Sequence, residues 1–293
     1  MICIRPCSGL FSIQADNYKD AKLRLERIET DVLRKFKNLG VMAFSLTGEE
    51  RLKMMYEIFN AETDEPFRFS YDSMVQAGLS TKDYIAPTSF VFKRGRTFTM
   101  GRTVGAASYL QILASEFHDD MLAKFLQPDD DLILNIHVQP TDQAKALTMV
   151  KRKVTDINAM KINEQKKAVR SGYDMDIMPS DLVSVGSGAK QLLEELQKRN
   201  ERYFNVTILL LHTAKTKKAL DLSILRTVGT AKEANCPLRR LDFQQEQGLM
   251  SSLPLGINMV PINRGLTTSA TAILIPFTTQ ELFMAGEWPE SIL

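Results

Sequence analysis

Tyr203-Phe-Asn-Val-Thr-Ile-Leu-Leu-Leu211 predicts the strongest strand of this chain. A run of this length, rich in β-branched and aromatic residues, is typical of a β-strand. Downstream of it, the pattern predicts a helix over residues 216–234, a strand over 236–241, a helix over 244–253 and a strand over 269–275. Strands and helices mixed in this way indicate an α+β fold, in which helices cover mixed sheets.

Upstream of that strand, a second α/β half is predicted. Residues 88–92 and 97–100 predict a hairpin around Gly95, where glycine would supply the positive φ of a tight turn. A strand, a short helix and a further strand follow at residues 104–113, 118–126 and 131–138. The mostly apolar composition of the last strand predicts a central place in a sheet. Each half is expected to form a ferredoxin-like α/β layer, although no residue-level repeat relates them.

An amphipathic helix is predicted near the N-terminus, over residues 17–39. Apolar residues recur every three or four positions, and charged residues fill the positions between them. Gly40 ends this helix, because glycine accepts the left-handed conformation of a C-terminal cap. The apolar stripe, which we expect to belong to a small N-terminal α+β unit, consists of Ala21, Leu25, Ile28, Val32 and Phe36.

A short strand and a second helix complete that unit. The apolar run at 41–46 predicts the strand, and Thr47 followed by Glu50 predicts a capping box that opens a helix over 49–59. The polar stretch 60–86 has no sustained period and predicts a linker or a surface excursion. The predicted domains are the N-terminal unit with its linker at 1–85, a main α/β domain at 86–277 and an atypical tail at 278–293.

The composition is that of a globular protein. With 293 residues, 44% of them hydrophobic, the chain is long enough for one large or two ordinary domains. No apolar run approaches the roughly 20 residues that cross a bilayer, and the first residues lack the pattern of a signal peptide. We therefore expect a cytoplasmic protein. A formal net charge of +2 is too balanced to indicate nucleic-acid binding, so that case rests on local patches.

Gly186, Gly188 and Lys190 lie in a fragment that resembles a phosphate-binding loop. Such a loop needs four residues between its glycines and then Gly-Lys-Ser/Thr at the start of a helix. Here the glycines fall inside an apolar helical pattern and glutamine follows the lysine. We therefore expect close helix packing at both glycines and no bound nucleotide.

No other set of residues predicts a catalytic, cofactor or metal site. The histidines are scattered without a companion at metal-ligand spacing, and an odd number of cysteines argues against a disulfide framework. Core and surface positions are the expected places of His118, His137, His212, Cys3, Cys7 and Cys236.

A basic helix is predicted over residues 142–171. Between 141 and 171, eight basic residues minus three acidic ones give a net charge of +5. Such a face is compatible with anionic lipid headgroups, with acidic partner segments, with nucleic acid or with simple exposure to solvent. No aromatic residue lies within the run, which argues against stacking on single strands. The candidate contacts to an anionic partner are Lys145, Lys151, Arg152, Lys153, Lys161, Lys166, Lys167 and Arg170.

Two C-terminal stretches resemble a known family. They are Gln247-Gly-Leu-Met-Ser-Ser-Leu-Pro-Leu-Gly256, and Arg264-Gly-Leu-Thr-Thr-Ser-Ala-Thr-Ala-Ile-Leu-Ile-Pro-Phe277. A helix that ends in Leu-Pro-Leu-Gly, a loop with Arg264 and a strand that runs into Pro-Phe resemble the N-terminal domain of the TraE/TrbE-type (VirB-family) conjugative-transfer ATPases of type IV secretion. The order of elements from about residue 86 to 277 is similar as well.

The resemblance implies an N-terminal α/β domain that docks a motor onto inner-membrane components of a conjugative secretion channel. The family continues into a RecA-like ATPase domain, whereas only sixteen residues (293 minus 277) follow Phe277 here. We therefore expect a truncated gene product with no ATPase activity, located in the cytoplasm or at the inner face of the cell membrane. Self-association is left open.

Two other functions compete with this one. A nucleic-acid-binding module would use the basic helix at 145–170, and binding would then depend strongly on salt. A small-molecule enzyme would need a convergent acid, base or nucleophile, and the sequence offers none at a recognisable spacing. We rank the enzyme last.

Overall fold

The computed structural model describes residues 8–61, 63, 65–112, 121–126, 132–170 and 180–274. Within these ranges the strands are β1 Phe90–Arg94, β2 Thr97–Met100, β3 Thr103–Leu110, β4 Leu132–Pro140, β5 Tyr203–Ala214, β6 Leu238–Arg240 and β7 Arg264–Thr267. The helices are α1 Tyr18–Asn38, α2 Gly48–Phe59, α3 Tyr71–Ala77, α4 Thr81–Ile85, α5 Met121–Leu126, α6 Gln143–Arg170, α7 Ser180–Lys198, α8 Lys217–Glu233, α9 Gln245–Ser252 and α10 Thr268–Ala272. Helices around an antiparallel sheet confirm the predicted α+β class.

The described strands join a single sheet in the order β1-β2-β3-β5-β4, and every pair is antiparallel. The short strand β6 pairs with the end of β3, and β7 pairs with the start of β5. The predicted strand at 203–211 is therefore confirmed, and it lies inside the sheet between β3 and β4. The two predicted α/β halves contribute to the same sheet.

The prediction of a central place for the strand at 131–138 is wrong. Within the described part of the chain, β4 pairs with β5 alone and forms an edge of the sheet. Its composition misleads because helices cover both of its faces. Helix α5 packs on one side and α9 on the other, so apolar residues are favoured on both.

The core lies on both faces of the sheet. On one face, Ile208 and Leu210 of β5 pack with Leu122 and Phe125 of α5. On the other face, Leu209 and Leu211 pack with residues of α9 and with Phe59 of α2. Alternate residues of β5 therefore enter different cores, which explains why its sequence is apolar at consecutive positions.

The N-terminal helix ends as predicted. Helix α1 matches the helix predicted at 17–39, and Gly40 has the expected left-handed backbone, with a φ of 74°. The capping box is also confirmed, because Thr47 and Glu50 exchange hydrogen bonds at the start of α2. These signals are local, which is why the sequence alone predicts them well.

Two predictions for the N-terminal region are wrong. Residues 41–46 do not form a strand, because no other described strand lies beside them to complete a ladder. Residues 60–86 are not a plain linker but contain α3 and α4, which Ser70 and Ser80 begin as N-terminal caps. Ile85 of α4 enters the same core cluster as Leu209 of the sheet. The domain boundaries themselves stay predictions.

The predicted hairpin is confirmed, but the expected role of Gly95 is wrong. Its φ is not among the positive values, and the left-handed residue in this corner is Phe243, with a φ of 58°. A Cβ at Gly95 would lie 2.8 Å from Cε1 of Phe243, so the glycine makes room for that ring. The backbone N–H of Phe243 also donates to the carbonyl of Gly95 at 2.6 Å.

The predicted strand at 269–275 is wrong. The strand lies earlier, at β7, and residues 268–272 form the short helix α10. The side chain of Thr267 caps this helix, and the carboxylate of Glu201 accepts the backbone N–H of Ser269 at 3.1 Å. These contacts satisfy the first amides of a helix, so the chain turns out of the sheet after Thr267. Residues 275–293 lie outside the described part.

The remaining elements agree with the sequence patterns. Helix α8 and helix α9 match the helices predicted at 216–234 and 244–253, and β6 lies within the strand predicted at 236–241. Strand β3 covers the first seven residues of the strand predicted at 104–113. Helix α5 matches the end of the helix predicted at 118–126, whose first residues lie outside the described ranges.

Candidate binding surface on a helical hairpin

Helices α6 and α7 form a hairpin that is inserted between two adjacent strands. Pro140 of β4 pairs with Phe204 of β5, and residues 141–202 connect them. Antiparallel neighbours of this kind can be joined by a turn of only two residues. The two helices are therefore not needed to pair the strands, and they form an appendage on the end of the sheet.

Side-chain hydrogen bonds fasten the base of this hairpin. The amide of Gln143, in the first turn of α6, donates to the carbonyls of Leu196 at 3.1 Å and Glu201 at 3.2 Å. Beside it, the amide of Asn205 donates to the hydroxyl of Thr141 at 3.2 Å. The end of α7 is therefore tied to the start of α6. Sequence reasoning missed Gln143, because its partners lie 53 and 58 positions away.

One side of α6 packs against α7. Ala146, Val150 and Ile157 are buried, and α7 contributes the buried Leu196. Beyond them Met160 is 55% exposed. The distal turns of α6 therefore offer mixed apolar and charged side chains to solvent.

The glycines of the loop-like fragment lie inside α7. A Cβ at Gly186 would lie 2.8 Å from Nζ of Lys161 and 3.3 Å from Cγ2 of Ile157, so this glycine allows close packing of the two helices. A Cβ at Gly188 would meet nothing within 4 Å, so the prediction of close helix packing at this glycine is wrong. Amides inside a helix are bonded to its own carbonyls, so this fragment cannot surround a phosphate.

The predicted basic residues do not all share one side of α6. Lys161 lies on the side that faces α7, against Gly186, and is partly buried. At 100° per residue, Lys145, Arg152, Lys166 and Arg170 fall within a sector of about 60°. The exposed members of the set, which we call the basic face, are Lys145, Lys151, Arg152, Lys153, Lys166, Lys167 and Arg170.

Acidic neighbours lie beside this face, and Lys167 forms an ion pair with one of them. The ammonium of Lys167 lies 2.6 Å from a carboxylate oxygen of Glu164, and its side chain remains 70% exposed. An exposed pair of this kind contributes at most about 1 kcal/mol, so a partner can displace it. The acidic Glu194 of α7 forms an ion pair with Lys198 of its own helix. The hydrogen bond from Lys198 lowers the pKa of Glu194.

Tyr203 and Arg264 lie together near the base of the hairpin. Burial raises the pKa of Tyr203, and the charge of Arg264 opposes that rise. Gly265 provides the space for the ring, because a Cβ there would overlap the tyrosine hydroxyl. Arg264 itself is exposed at the start of β7, not in a loop as the sequence pattern suggested.

The histidines and cysteines of the described part have structural environments. His212 is buried, with Nε2 at 2.9 Å from the hydroxyl of Thr227. His137 bonds the carbonyl of Ser251 through Nε2 at 2.7 Å. Cys236 is buried in the core. The part of the chain that the structure describes contains no group of three or more potential metal ligands; His118, Cys3 and Cys7 lie outside it.

Nor does any helix in the described ranges have the length and apolar character needed to cross a bilayer. Comparison with models of protein families gives no match for this chain, and comparison with curated proteins gives none either. The family resemblance therefore rests on the residues of the two C-terminal stretches, because the second stretch forms β7 and α10 and not the loop and strand on which the resemblance was based.

Proposed function

We propose that this chain is a non-catalytic docking module of a conjugative-transfer ATPase of type IV secretion. In this proposal, the basic face of α6 binds acidic segments of the inner-membrane components of the secretion channel. The chain would then sit at the inner face of the cell membrane, held there by its partner.

The observation that carries the proposal is the inserted hairpin itself. The sheet does not need residues 141–202 to pair β4 with β5, yet this insertion holds the most basic segment noted in the sequence. Loops and insertions on a rigid scaffold are where binding residues concentrate. A rigid base at Gln143 and an exposed basic face suit a surface that must meet an acidic partner in one orientation.

A role without catalysis agrees with the chemistry of the described residues. The glycines that resemble a phosphate-binding loop are inside α7, and His137 and His212 are occupied with structural hydrogen bonds. An ATPase also needs a hydroxyl and a carboxylate on magnesium. The Gly-Lys-Ser/Thr pattern that supplies the hydroxyl does not occur in these 293 residues.

The test is binding to the inner-membrane channel subunits encoded with this chain, held in nanodiscs. Reversing three adjacent charges, Lys151→Glu, Arg152→Glu and Lys153→Glu, should weaken binding at least about tenfold, because attraction between opposite patches becomes repulsion. Biolayer interferometry at several salt concentrations measures the change.

A matched control reverses three exposed lysines of α8. Lys217→Glu, Lys218→Glu and Lys232→Glu change the net charge by the same amount on another surface. This variant should bind like the unmodified chain. Equal loss in both variants would show that only the net charge matters, and no binding by the unmodified chain would overturn the proposal.

A second candidate is a module that binds duplex DNA. The observation in its favour is that Lys151, Arg152 and Lys153 are all exposed in one turn of α6. Duplex is the expected form, because the basic run has no aromatic residue on which single-strand bases could stack. Fluorescence anisotropy at several salt concentrations gives the slope of the logarithm of the binding constant against the logarithm of the salt concentration. The magnitude of this slope should fall by about 0.9 for each phosphate contact that a variant loses. If no DNA binds at low salt, this candidate fails.

A further inference from the structure

Helix α1 is amphipathic, but the rest of the described chain covers its apolar stripe only in part. None of its residues is buried, and none belongs to the three core clusters. Leu25, in the middle of the stripe, remains 38% exposed. A helix of 21 residues with one apolar stripe gains most of its stability from packing that stripe against a partner. Within the described part of the chain, no other helix or strand packs against this stripe as a core partner.

The stripe follows the heptad repeat of a coiled coil. In the usual notation, the seam positions a and d alternate at intervals of three and four residues. The a positions are Tyr18, Leu25 and Val32, and the d positions are Ala21, Ile28 and Lys35. The surface on either side is charged, as in helices that pair in water. This spacing suits a second helix as the partner.

The charges beside the seam match an inverted copy of the same helix. In an antiparallel pair that places Leu25 opposite Ile28 of the second copy, residues whose numbers add to 53 face each other along the seam. Beside the seam of an antiparallel pair, g positions meet g positions and e positions meet e positions. The g positions bring Arg24 to Asp31 of the other copy. On the other side, the e positions bring Lys22 to Glu29. Each attraction occurs twice, and no like charges meet at these positions.

Other partners fit the helix less well. A parallel pair would keep only the attraction between Arg24 and Glu29, and would place Asp31 opposite Phe36 of the other copy. A lipid surface would favour basic residues on both sides of the stripe. Here Asp31 and Glu29 flank it, one on each side, and anionic headgroups would repel them.

The segment after α1 adds apolar surface at the same place. Ser45 donates a hydrogen bond to Glu29, which holds residues 41–46 beside the helix. In this segment Met42 is 96% exposed and Phe44 is 76% exposed. Large exposed apolar side chains, next to an apolar stripe that is only partly covered, mark a surface that a partner covers.

We propose that the chain forms a homodimer in which α1 pairs with α1 of a second copy as an antiparallel coiled coil. The seam is formed by Ala21, Leu25, Ile28 and Val32, and the orientation is set by the pairs between Arg24 and Asp31 and between Lys22 and Glu29. This inference does not depend on the function proposed for α6.

Sedimentation equilibrium of the full chain tests the proposal. The unmodified chain should form a dimer, of about twice 33.1 kDa, as its concentration rises. The double change Leu25→Glu and Ile28→Glu places four carboxylates in the seam and should raise the dissociation constant at least about tenfold. The control is Leu23→Glu, at the outermost position of the same helix and 49% exposed, which should leave the dimer unchanged.

A charge exchange tests the orientation. Arg24→Glu alone and Asp31→Arg alone should each weaken the dimer, because each creates two like-charge contacts. The double variant should restore it, although both changes remove ion pairs within the helix to Asp20 and Arg34. In a parallel pair, Glu at position 24 would still meet Glu29, so the double variant would stay weak and would overturn the proposed orientation.

Two further outcomes would overturn the dimer itself. One is a dimer that ignores the Leu25→Glu and Ile28→Glu changes. The other is a monomer at every concentration. In that case the chain is floated with phosphatidylglycerol vesicles, and flotation that depends on Leu25 and Ile28 would assign the stripe to a lipid surface. Circular dichroism and thermal melting of each variant check that the rest of the chain is folded, which is expected because α1 contributes nothing to the core clusters.

Discussion

At the scale of single residues, Gln245 fills a gap in the sheet. On the outer edge of β3, pairing with β2 stops at Gly105 and pairing with β6 begins at Ser108. Between them, Gln245 accepts the N–H of Ala107 at 2.7 Å and donates to its carbonyl at 3.0 Å. The side chain thus takes the place of a strand residue and satisfies a buried backbone.

Gly248, one turn further along α9, lets this helix approach the sheet. A Cβ there would overlap the side chain of Ala107 and lie 2.7 Å from Cδ1 of Leu241. Both neighbours are buried, so neither can move without disturbing the core. The glycine therefore sets the distance at which Gln245 reaches β3.

We predict that Gly248→Ala destabilises the protein. Overpacking a filled core costs about 1–3 kcal/mol, and here it would also displace the hydrogen bonds of Gln245. Urea denaturation followed by circular dichroism measures the loss in the free energy of unfolding.

The control for this change is Gly229→Ala in α8. Gly229 is exposed in the middle of a helix, and a Cβ there meets nothing within 4 Å. Alanine should stabilise that helix by about 0.5–1 kcal/mol, because glycine loses more backbone freedom on folding. If both variants change stability in the same direction, packing at Gly248 is not the cause.

At the scale of elements, the helical hairpin and the sheet are expected to be separable. Thr141 donates its N–H to the carbonyl of Tyr203 at 3.0 Å, which extends the pairing of β4 with β5 past Pro140. A short turn after Thr141 would therefore join two residues that already face each other. The core clusters contain no residue of α6 or α7.

We predict that replacing residues 142–202 by Asn-Gly leaves the remaining protein folded. These two residues favour the turn that matches the twist of antiparallel strands. Thermal melting should stay a single cooperative transition, and binding to the channel subunits should disappear. The loss of the contacts of Glu201 and Arg202 with α10 should lower the melting temperature only slightly. A variant without a cooperative transition would show that the hairpin is part of the folding unit.

At the scale of the whole molecule, the absence of a phosphate-binding pattern has a direct consequence. A ligand at about 100 times its dissociation constant stabilises a protein by about 2.7 kcal/mol, which raises its melting temperature by several degrees. We predict that ATP with magnesium, at millimolar concentration, leaves the melting temperature of this chain unchanged. Differential scanning fluorimetry measures this, with magnesium alone as the reference. A rise of several degrees would contradict the proposed function, but would not affect the dimer.

Much of the secondary structure could be predicted from the sequence, because its signals are local. The capping box of Thr47 and Glu50 and the glycine at position 40 act within one turn of their helices. The basic face was predicted for the same reason, apart from Lys161, whose side chain is taken up by a contact with α7. The distribution of charges around a helix follows from spacing alone.

The errors in the prediction involve residues whose state depends on a distant partner. Residues 41–46 have the pattern of a strand, but a strand needs a neighbour to bond its backbone. The apolar run of β4 indicates cover on both faces of the sheet, but it does not show whether a strand pairs with β4 along one edge or both. The residues after Thr267 were predicted as a strand, whereas contacts from Glu201, 68 positions before Ser269, accompany a helix.

The sequence by itself determined the α+β class, the strong strand at 203–211, most helices and the position of the basic segment, because hydrophobic spacing and capping act over a few residues. Only the tertiary structure decided the order of the strands and the insertion of the hairpin between β4 and β5. It also decided that the rest of the described chain covers the stripe of α1 only in part. These features depend on which distant surfaces meet, and that is settled by packing over the whole molecule.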